Sequence, residues 1–282
     1  MRSVSGKRFN FDRLDITLLS ALRCIPSKCY SCQQLTSAKA LKMLTTKSFP
    51  PNQKGRDFVV GDIHGHFKLL KKALGKVNFN TEADRIFSVG DLIDRGPDSL
   101  DVLNWLGKPW FHAVRGNHEQ MLIDCVSGHG NIPRHIRNGG AWLYELQPTL
   151  QHELLQALQA LPLIIEINLS SDQTVGVVHA EAPIIKSNDG WQEAKDTISG
   201  KSGKSNQRQA LKTALYARKK IERQDHSSIN GISQLYVGHS TVSGVMRLGN
   251  VVYIDTGCGF ADGALSLIEI PFETVVSISM NE

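Results

Sequence analysis

Short apolar runs that lead into glycine alternate, along the first half of the body of this chain, with stretches of helical spacing. Phe58-Val59-Val60 runs into Gly61, Ile86-Phe87-Ser88-Val89 runs into Gly90, and Phe111–Val114 leads to Arg115-Gly116. Between them, Phe67–Leu74 sets its apolar residues at helical intervals with lysines opposite, and Ser99–Leu106 and Glu119–Val126 read as helices too. Strand and helix alternating at about 30 residues per unit predict βαβ units and a parallel sheet.

The second half has a different pattern. Thr149–Leu161 predicts a strong helix stopped by Pro162, which leads into the apolar strand Leu163–Leu169. Further strands are predicted at Thr174–Val178, Leu235–Val237, Val251–Ile254, Leu265–Ile270 and Val275–Ile278, spaced as antiparallel strands with short turns. The chain is therefore α/β with a mixed sheet. The polar, glycine-rich Ser199–Gln207 reads as an exposed loop. Its two Gly-Lys-Ser triplets lack the first glycine and the preceding strand of a phosphate-binding loop, so they carry no nucleotide reading.

Composition narrows the class. The 282 residues are 41% hydrophobic and 21% charged, which is ordinary for a globular protein, and no run reaches the ~20 apolar residues of a membrane helix. The net charge of +5 is unevenly placed: residues 1–52 hold nine Lys/Arg against two Asp/Glu, and residues 53–282 hold 23 against 25. The basic character belongs to an N-terminal extension, and the nearly neutral body offers no stripe for nucleic acid and no membrane anchor. Met43 lies just before the Pro50-Pro51 linker, which marks the extension (1–52) as a basic tail or a misassigned start ahead of a single domain at 53–282. Five cysteines, an odd number at low density, suit a reducing compartment, so a cytoplasmic location is expected. Cys24, Cys29 and Cys32 lack a nearby fourth ligand for zinc, Cys125 sits in an apolar helix, and Cys258 reads as a buried thiol.

The chemistry lies in short blocks just beyond the strands. Gly61-Asp62-Ile63-His64-Gly65 follows the first strand, Gly90-Asp91-Leu92-Ile93-Asp94-Arg95-Gly96 the second, and Gly116-Asn117-His118-Glu119 the third. Such strand ends are where open α/β sheets place their ligands. His179 and His239 follow later strands in the same way. Asp62, His64, Asp91, Asn117, His179 and His239 offer oxygen and imidazole without thiolate, a mixture suited to Mn²⁺, Fe²⁺ or Zn²⁺. Six ligands are too many for one catalytic ion with an open position. They suit two ions about 3.5–4 Å apart bridged by one carboxylate, an arrangement fitted to displacement at phosphorus.

GDIHG, GDLIDRG and GNHE with two later histidines resemble the calcineurin-like metallophosphoesterases, and among them the bacterial and phage serine/threonine protein phosphatases. AVRGNHEQM, NGG, LPLIIEI, VVHA, VGHS and YIDTG extend the resemblance from about residue 57 to 270. It implies a four-layered mixed β-sandwich flanked by helices. It also implies two divalent ions, Mn²⁺ foremost, one on Asp62, His64 and Asp91 and the other on Asp91, Asn117, His179 and His239. By the same resemblance a metal-bridging hydroxide attacks phosphorus directly, His118 protonates the leaving alkoxide, and Asp94 orients His118. Arg95 and Arg115 would clamp the phosphoryl oxygens, with Arg218 as a further phosphate contact. The implied substrate is a phosphoprotein or phosphopeptide.

Several positions depart from the family pattern. His66 stands where relatives carry Cys, Ser240 where they carry Thr, and Glu181-Ala182-Pro183 where they read Asp-Tyr-Pro. The stretch between His179 and Arg218 is longer than in the phage members. These changes bear on substrate choice, not catalysis. Two other readings remain open. Symmetrical dinucleoside tetraphosphatases read Ala-Arg-Gly and Asn-His-Asp where this chain has Asp94-Arg95-Gly96 and Asn117-His118-Glu119, yet Asp255-Thr256-Gly257-Cys258 leans towards them. A non-catalytic binding protein would have lost a ligand or His118, and all are present.

Overall fold

The computed structural model describes residues 45–271 and 274–282. Residues 1–44 of the basic extension, with the start at Met43 and the Cys24, Cys29 and Cys32 group, lie outside the described residues.

Among the described residues, eleven strands and eight α-helices follow one another. Strand β1 (Thr46–Phe49) and β2 (Asp57–Val60) precede α1 (Phe67–Lys76). Then come β3 (Arg85–Ser88), α2 (Val102–Leu106), β4 (Phe111–Ala113), α3 (Asn117–Val126), α4 (Ile132–Arg137) and α5 (Pro148–Gln159). The second half holds β5 (Ile164–Asn168), β6 (Thr174–Val178), α6 (Trp191–Ile198), α7 (Lys204–Tyr216), α8 (Lys219–Glu222) and β7 (Gln234–Val237). It closes with β8 (Met246–Leu248), β9 (Val251–Tyr253), β10 (Ala264–Ile270) and β11 (Thr274–Ser279).

The strands form a five-stranded sheet, β11-β10-β2-β3-β4, and a six-stranded sheet, β1-β5-β6-β7-β9-β8. Period-two alternation explains how the apolar runs build layers. Val59, Phe87, Ile165, Ile167, Val175, Val177, Tyr236, Val252 and Ile268 point inward and make a core between the sheets. Their neighbours Phe58, Val60, Ile86 and Leu267 point outward and pack with Leu70 of α1, Leu122 of α3 and Leu158 of α5. On the other sheet, Ile164, Val178, Leu235 and Val237 pack outward with Ala194 of α6 and Ala210 and Ala214 of α7. Three cores separate four layers: helix, sheet, sheet, helix. That is the expected mixed sandwich. Runs apolar on both faces are what strands covered on both sides require.

The structure differs from the sequence reading in three places. Residues 46–49 stood in the extension, whereas they form the edge strand β1, parallel to β5 with Thr46 opposite Ile164. Only Phe49 of β1 is buried, so the strand carried too weak an apolar signal to be read. Lys204–Gln207, read as loop, is the first turn of α7. Its polar residues face outward, and the buried Ala210 and Ala214 come only later in the helix. Finally, β6, β7 and β9 run parallel rather than antiparallel, because α6–α8 form the crossover between β6 and β7.

An ion pair ties the approach to β2 and β3 together. The buried Asp84 carboxylate accepts from the Arg56 backbone N–H (2.8 Å), the Arg56 guanidinium (2.7 Å) and the Asn80 N–H (2.9 Å). Burial pushes this carboxyl up, but the Arg56 and Asn80 donors outweigh it and hold it below the ordinary value of 3.8. Asp84→Asn is expected to cost about 1–3 kcal/mol of unfolding free energy at neutral pH. A carboxyl depressed in the folded state stabilises above its unfolded value and loses that contribution as pH falls through its folded one. Urea denaturation should therefore show the wild-type advantage at pH 7 and its shrinkage below about pH 4.

Candidate active site

Each of the three βα units delivers its candidate ligands immediately past the strand. Asp62 and His64 follow β2, Asp91 follows β3, and Asn117 and His118 open α3 after β4. The six-stranded sheet adds His179 after β6 and His239 after β7. The turns are abrupt: His64, Asp91, Asp94, Arg95 and His239 all have positive φ, an unusual set for residues with side chains. Gly238 is needed for close approach, because a methyl group there would overlap the Asp62 carboxylate.

The side chains of Asp62, His64, Asp91, Asn117, His118, His179 and His239 are all buried, and they gather around Asp91. Ligand atoms of His64, Asp91 and His118 lie within 4.8 Å of one another, and so do those of Asp91, His179 and His239. Asp62 stands at the edge of the second group, where it accepts the His239 backbone N–H at 3.1 Å.

The donor set fits metal ions. His64 donates from Nδ1 to the Ile93 carbonyl (3.1 Å) and His179 from Nδ1 to that of Val89 (2.8 Å). A backbone carbonyl, that of Tyr216, also bonds the His239 ring. Each Nε2 is thereby left with a lone pair directed into the site, the usual tautomer of a metal ligand. His239 Nε2 is buried without a partner, and His179 Nε2 faces Asn117 Oδ1 at 2.9 Å. A neutral His179 makes that a meeting of two acceptors, which a cation resolves. Burial drives the His64 and His239 rings down to about 3 and lowers His179 too, so the neutral form prevails. Burial, then Asp255 and Asp91, push Asp62 well above the ordinary carboxyl value, a sign of negative charge crowded together.

His118 differs from these rings. It donates from Nδ1 to Asp94 Oδ2 at 2.7 Å, and its Nε2 lies 3.8 Å from Asp91 Oδ2. Burial lowers its pKa, but Asp91 and Asp94 together outweigh that and raise it above the ordinary value. Its charged form is thus favoured, where those of His64, His179 and His239 are disfavoured.

The family profile of calcineurin-like phosphoesterases matches residues 58–236. This chain belongs to that family. Among relatives of this phosphoesterase, serine/threonine-protein phosphatase 1 of Salmonella typhimurium is 38% identical over 216 residues, 76% of this chain and 91% of that protein. Serine/threonine-protein phosphatase 2 of Escherichia coli is 34% identical over 71% of this chain and 86% of its own. A symmetrical bis(5'-nucleosyl)-tetraphosphatase of Hamiltonella defensa is 45% identical, but over 75 residues, 26% of this chain and 27% of that protein. A solved structure provisionally named a diadenosine tetraphosphatase shares the fold, with a TM-score of 0.57, 23% identity and coverage of 84% and 98%. The family is one of dinuclear metal enzymes, and the phosphoesterase has two ligand groups joined at Asp91 to match.

The arginines are placed less uniformly than the ligands. Arg95 is exposed at the mouth of the site, its guanidinium 4.5 Å over the Phe260 ring. Arg218 donates to the His239 carbonyl (2.9 Å), which sets it at the edge of the second ligand group. Arg115 is buried, and its guanidinium donates to the Gln159 (2.6 Å) and Leu161 (3.3 Å) carbonyls and to Gln120 Oε1 (3.1 Å). It thereby caps the end of α5.

Four residues to which the sequence reading gave no role in the site help to shape it. Glu119 accepts from the N–H groups of Gly116 (2.7 Å), Asp91 (2.9 Å) and Leu92 (2.8 Å), pinning two of the ligand loops together. Its place three residues into α3 after Gly116 is a capping signal that could have found it. Asp255 is buried behind Asp62 and accepts from Gly257 N–H and Thr241 Oγ1, both at 2.9 Å. Its strand-end setting in Tyr253-Ile254-Asp255-Thr256-Gly257 repeats the grammar of the other blocks. His135 and Trp142, both on Asp94, had no such signal. Burial pushes the Cys258 thiol up to about 12, which keeps it an unreactive thiol at neutral pH.

Proposed function

We propose that the chain is a serine/threonine protein phosphatase that hydrolyses phosphoserine and phosphothreonine monoesters with the help of two divalent ions, Mn²⁺ first among them. The observation that carries this reading is His118 bonded through Nδ1 to Asp94, with its Nε2 3.8 Å from Asp91, the residue common to the two candidate metal-holding groups. Similarity to serine/threonine-protein phosphatase 1 across 91% of that protein supports the substrate class.

Asp62, His64 and Asp91 would hold one ion, and Asp91, Asn117, His179 and His239 the other. When bound, such a pair polarises a phosphoryl group and lowers the pKa of water. The chain's own groups do the rest. Arg95, exposed at the mouth, clamps the phosphoryl oxygens with planar paired donors, and Arg218, between α7 and α8, adds a further donor. His118 delivers the proton on Nε2 to the departing serine or threonine oxygen while Nδ1–H stays on Asp94. Arg115 supports this arrangement from behind by fixing the end of α5. No helix among the described residues is long and apolar enough to cross a membrane, and we place the enzyme in the cytoplasm with a phosphoprotein as its partner.

The test is hydrolysis of p-nitrophenyl phosphate, a phosphoserine peptide and diadenosine tetraphosphate by chelator-stripped protein, before and after adding Mn²⁺. Phosphate release from the first two, restored by Mn²⁺, is the expected result. Activity confined to the dinucleotide would replace this reading with the tetraphosphatase one. Silence on all three with ions bound would point to a binding protein.

A further inference from the structure

The Asp94 carboxylate is more heavily engaged than an orienting partner of His118 needs to be. It is fully buried, has φ +72°, and its backbone N–H is held by Ser99 Oγ at 3.0 Å. Oδ2 receives His118 Nδ1 at 2.7 Å and also His135 Nε2 at 3.2 Å, while Oδ1 receives Trp142 Nε1 at 2.9 Å. Two imidazoles therefore share one carboxylate oxygen.

The second imidazole has a defined tautomer. His135 Nδ1 lies 2.9 Å from the Tyr144 hydroxyl, which donates to it, so the ring proton sits on Nε2 and points at Asp94. His135 is fully buried in α4, and a methyl group at Gly140 would overlap its ring. Gly139, with φ +98°, turns the chain so that Gly140 passes the ring. The Asn138-Gly139-Gly140 turn thus makes room for His135.

From this geometry we infer that His135 is a positioning residue for proton delivery, acting on His118 through Asp94. With donors on both oxygens the carboxylate cannot rotate, and it stays an acceptor. Nδ1–H of His118 has one direction to take, which aims Nε2 at the departing oxygen. Loss of the His135 donor leaves a lone pair of Oδ2 unsatisfied in a dry site and lets the Asp94–His118 pair swing. The inference rests on the proposed role of His118 as proton donor.

The test uses the full chain loaded with Mn²⁺ and compares His135→Leu, His135→Gln and Tyr144→Phe. The substrates are a phosphoserine peptide, whose alkoxide needs a proton, and p-nitrophenyl phosphate, whose phenolate does not. His135→Leu is expected to lower kcat on the peptide by about 10–100-fold, with a much smaller loss on the aryl ester. KM and metal content should stay unchanged. Gln, which keeps an N–H near the Nε2 position, should restore part of the loss. Tyr144→Phe, a milder change that frees the tautomer, should show the same preference for the good leaving group, and it decides the matter if the Leu variant does not fold. In a His118→Asn background the His135 substitution should change kcat by less than about twofold, because the two act as one unit. Equal losses on both substrates, or full additivity with His118→Asn, would overturn the inference and leave His135 a structural residue. If His118→Asn itself shows no dependence on the leaving group, the proton-donor role fails first and this inference with it.

Discussion

His118→Asn is expected to lower turnover of a phosphoserine peptide by roughly 10²–10⁴-fold while both metal ions remain bound. The argument rests on how this ring differs from its neighbours. His64, His179 and His239 are anchored by backbone carbonyls and are driven towards neutrality by burial. His118 is anchored by a carboxylate, and Asp91 and Asp94 overcome its burial to favour the charged form. Asn can still bond Asp94 but has no proton to give. Steady-state kinetics beside elemental analysis make the check. A variant that loses its ions along with activity would show His118 to be a ligand in the group with His64 and Asp91.

The second large effect belongs to Asp91. It is the one residue common to both ligand groups, and its Oδ1 also accepts the His118 backbone N–H at 3.0 Å. Asp91→Asn keeps the size and the acceptor but removes the negative charge on which both sites depend. Activity should fall by at least about 10³-fold, since metal stabilisation of a transition state is worth several kcal/mol. Measured ion content should fall as well. Circular dichroism and melting of the metal-free proteins should match those of metal-free wild type. A normal ion content with the same loss of turnover would contradict the shared-ligand arrangement.

The strand-end placement of most candidate ligands was legible because its logic is local. A strand read from Phe58-Val59-Val60 fixes where Asp62 and His64 must fall, and the same holds for Asp91 after Ile86–Val89. Neither step needs a distant contact. The links that escaped are the long ones. His135 reaches Asp94 across 41 residues and Trp142 across 48, and neither position has a periodicity or motif that ties it to a carboxylate. Arg115, for which the family resemblance implies a phosphate clamp, also has partners that no local pattern announces: its guanidinium reaches carbonyls at the end of α5, 44 and 46 residues further along the chain. Strand β1 escaped because an edge strand buries a single side chain, Phe49, and so leaves almost no apolar trace.

The candidate ligands divide between the two sheets, so the two ions we propose would be unequal partners of the fold. Asp62, His64 and Asp91 all follow strands of the five-stranded sheet, so an ion held there would tie loops of one layer to each other. Asp91 and Asn117 meet His179 and His239 from the six-stranded sheet, so the other ion would be a rivet through the seam of the sandwich. By mass action a ligand at a hundredfold excess over its Kd adds about 2.7 kcal/mol to whatever state binds it. For the rivet that state is the docked pair of sheets. Depleting the ions in turn would thus disarm the enzyme at either site, but only at the second would it also loosen one half of the molecule from the other.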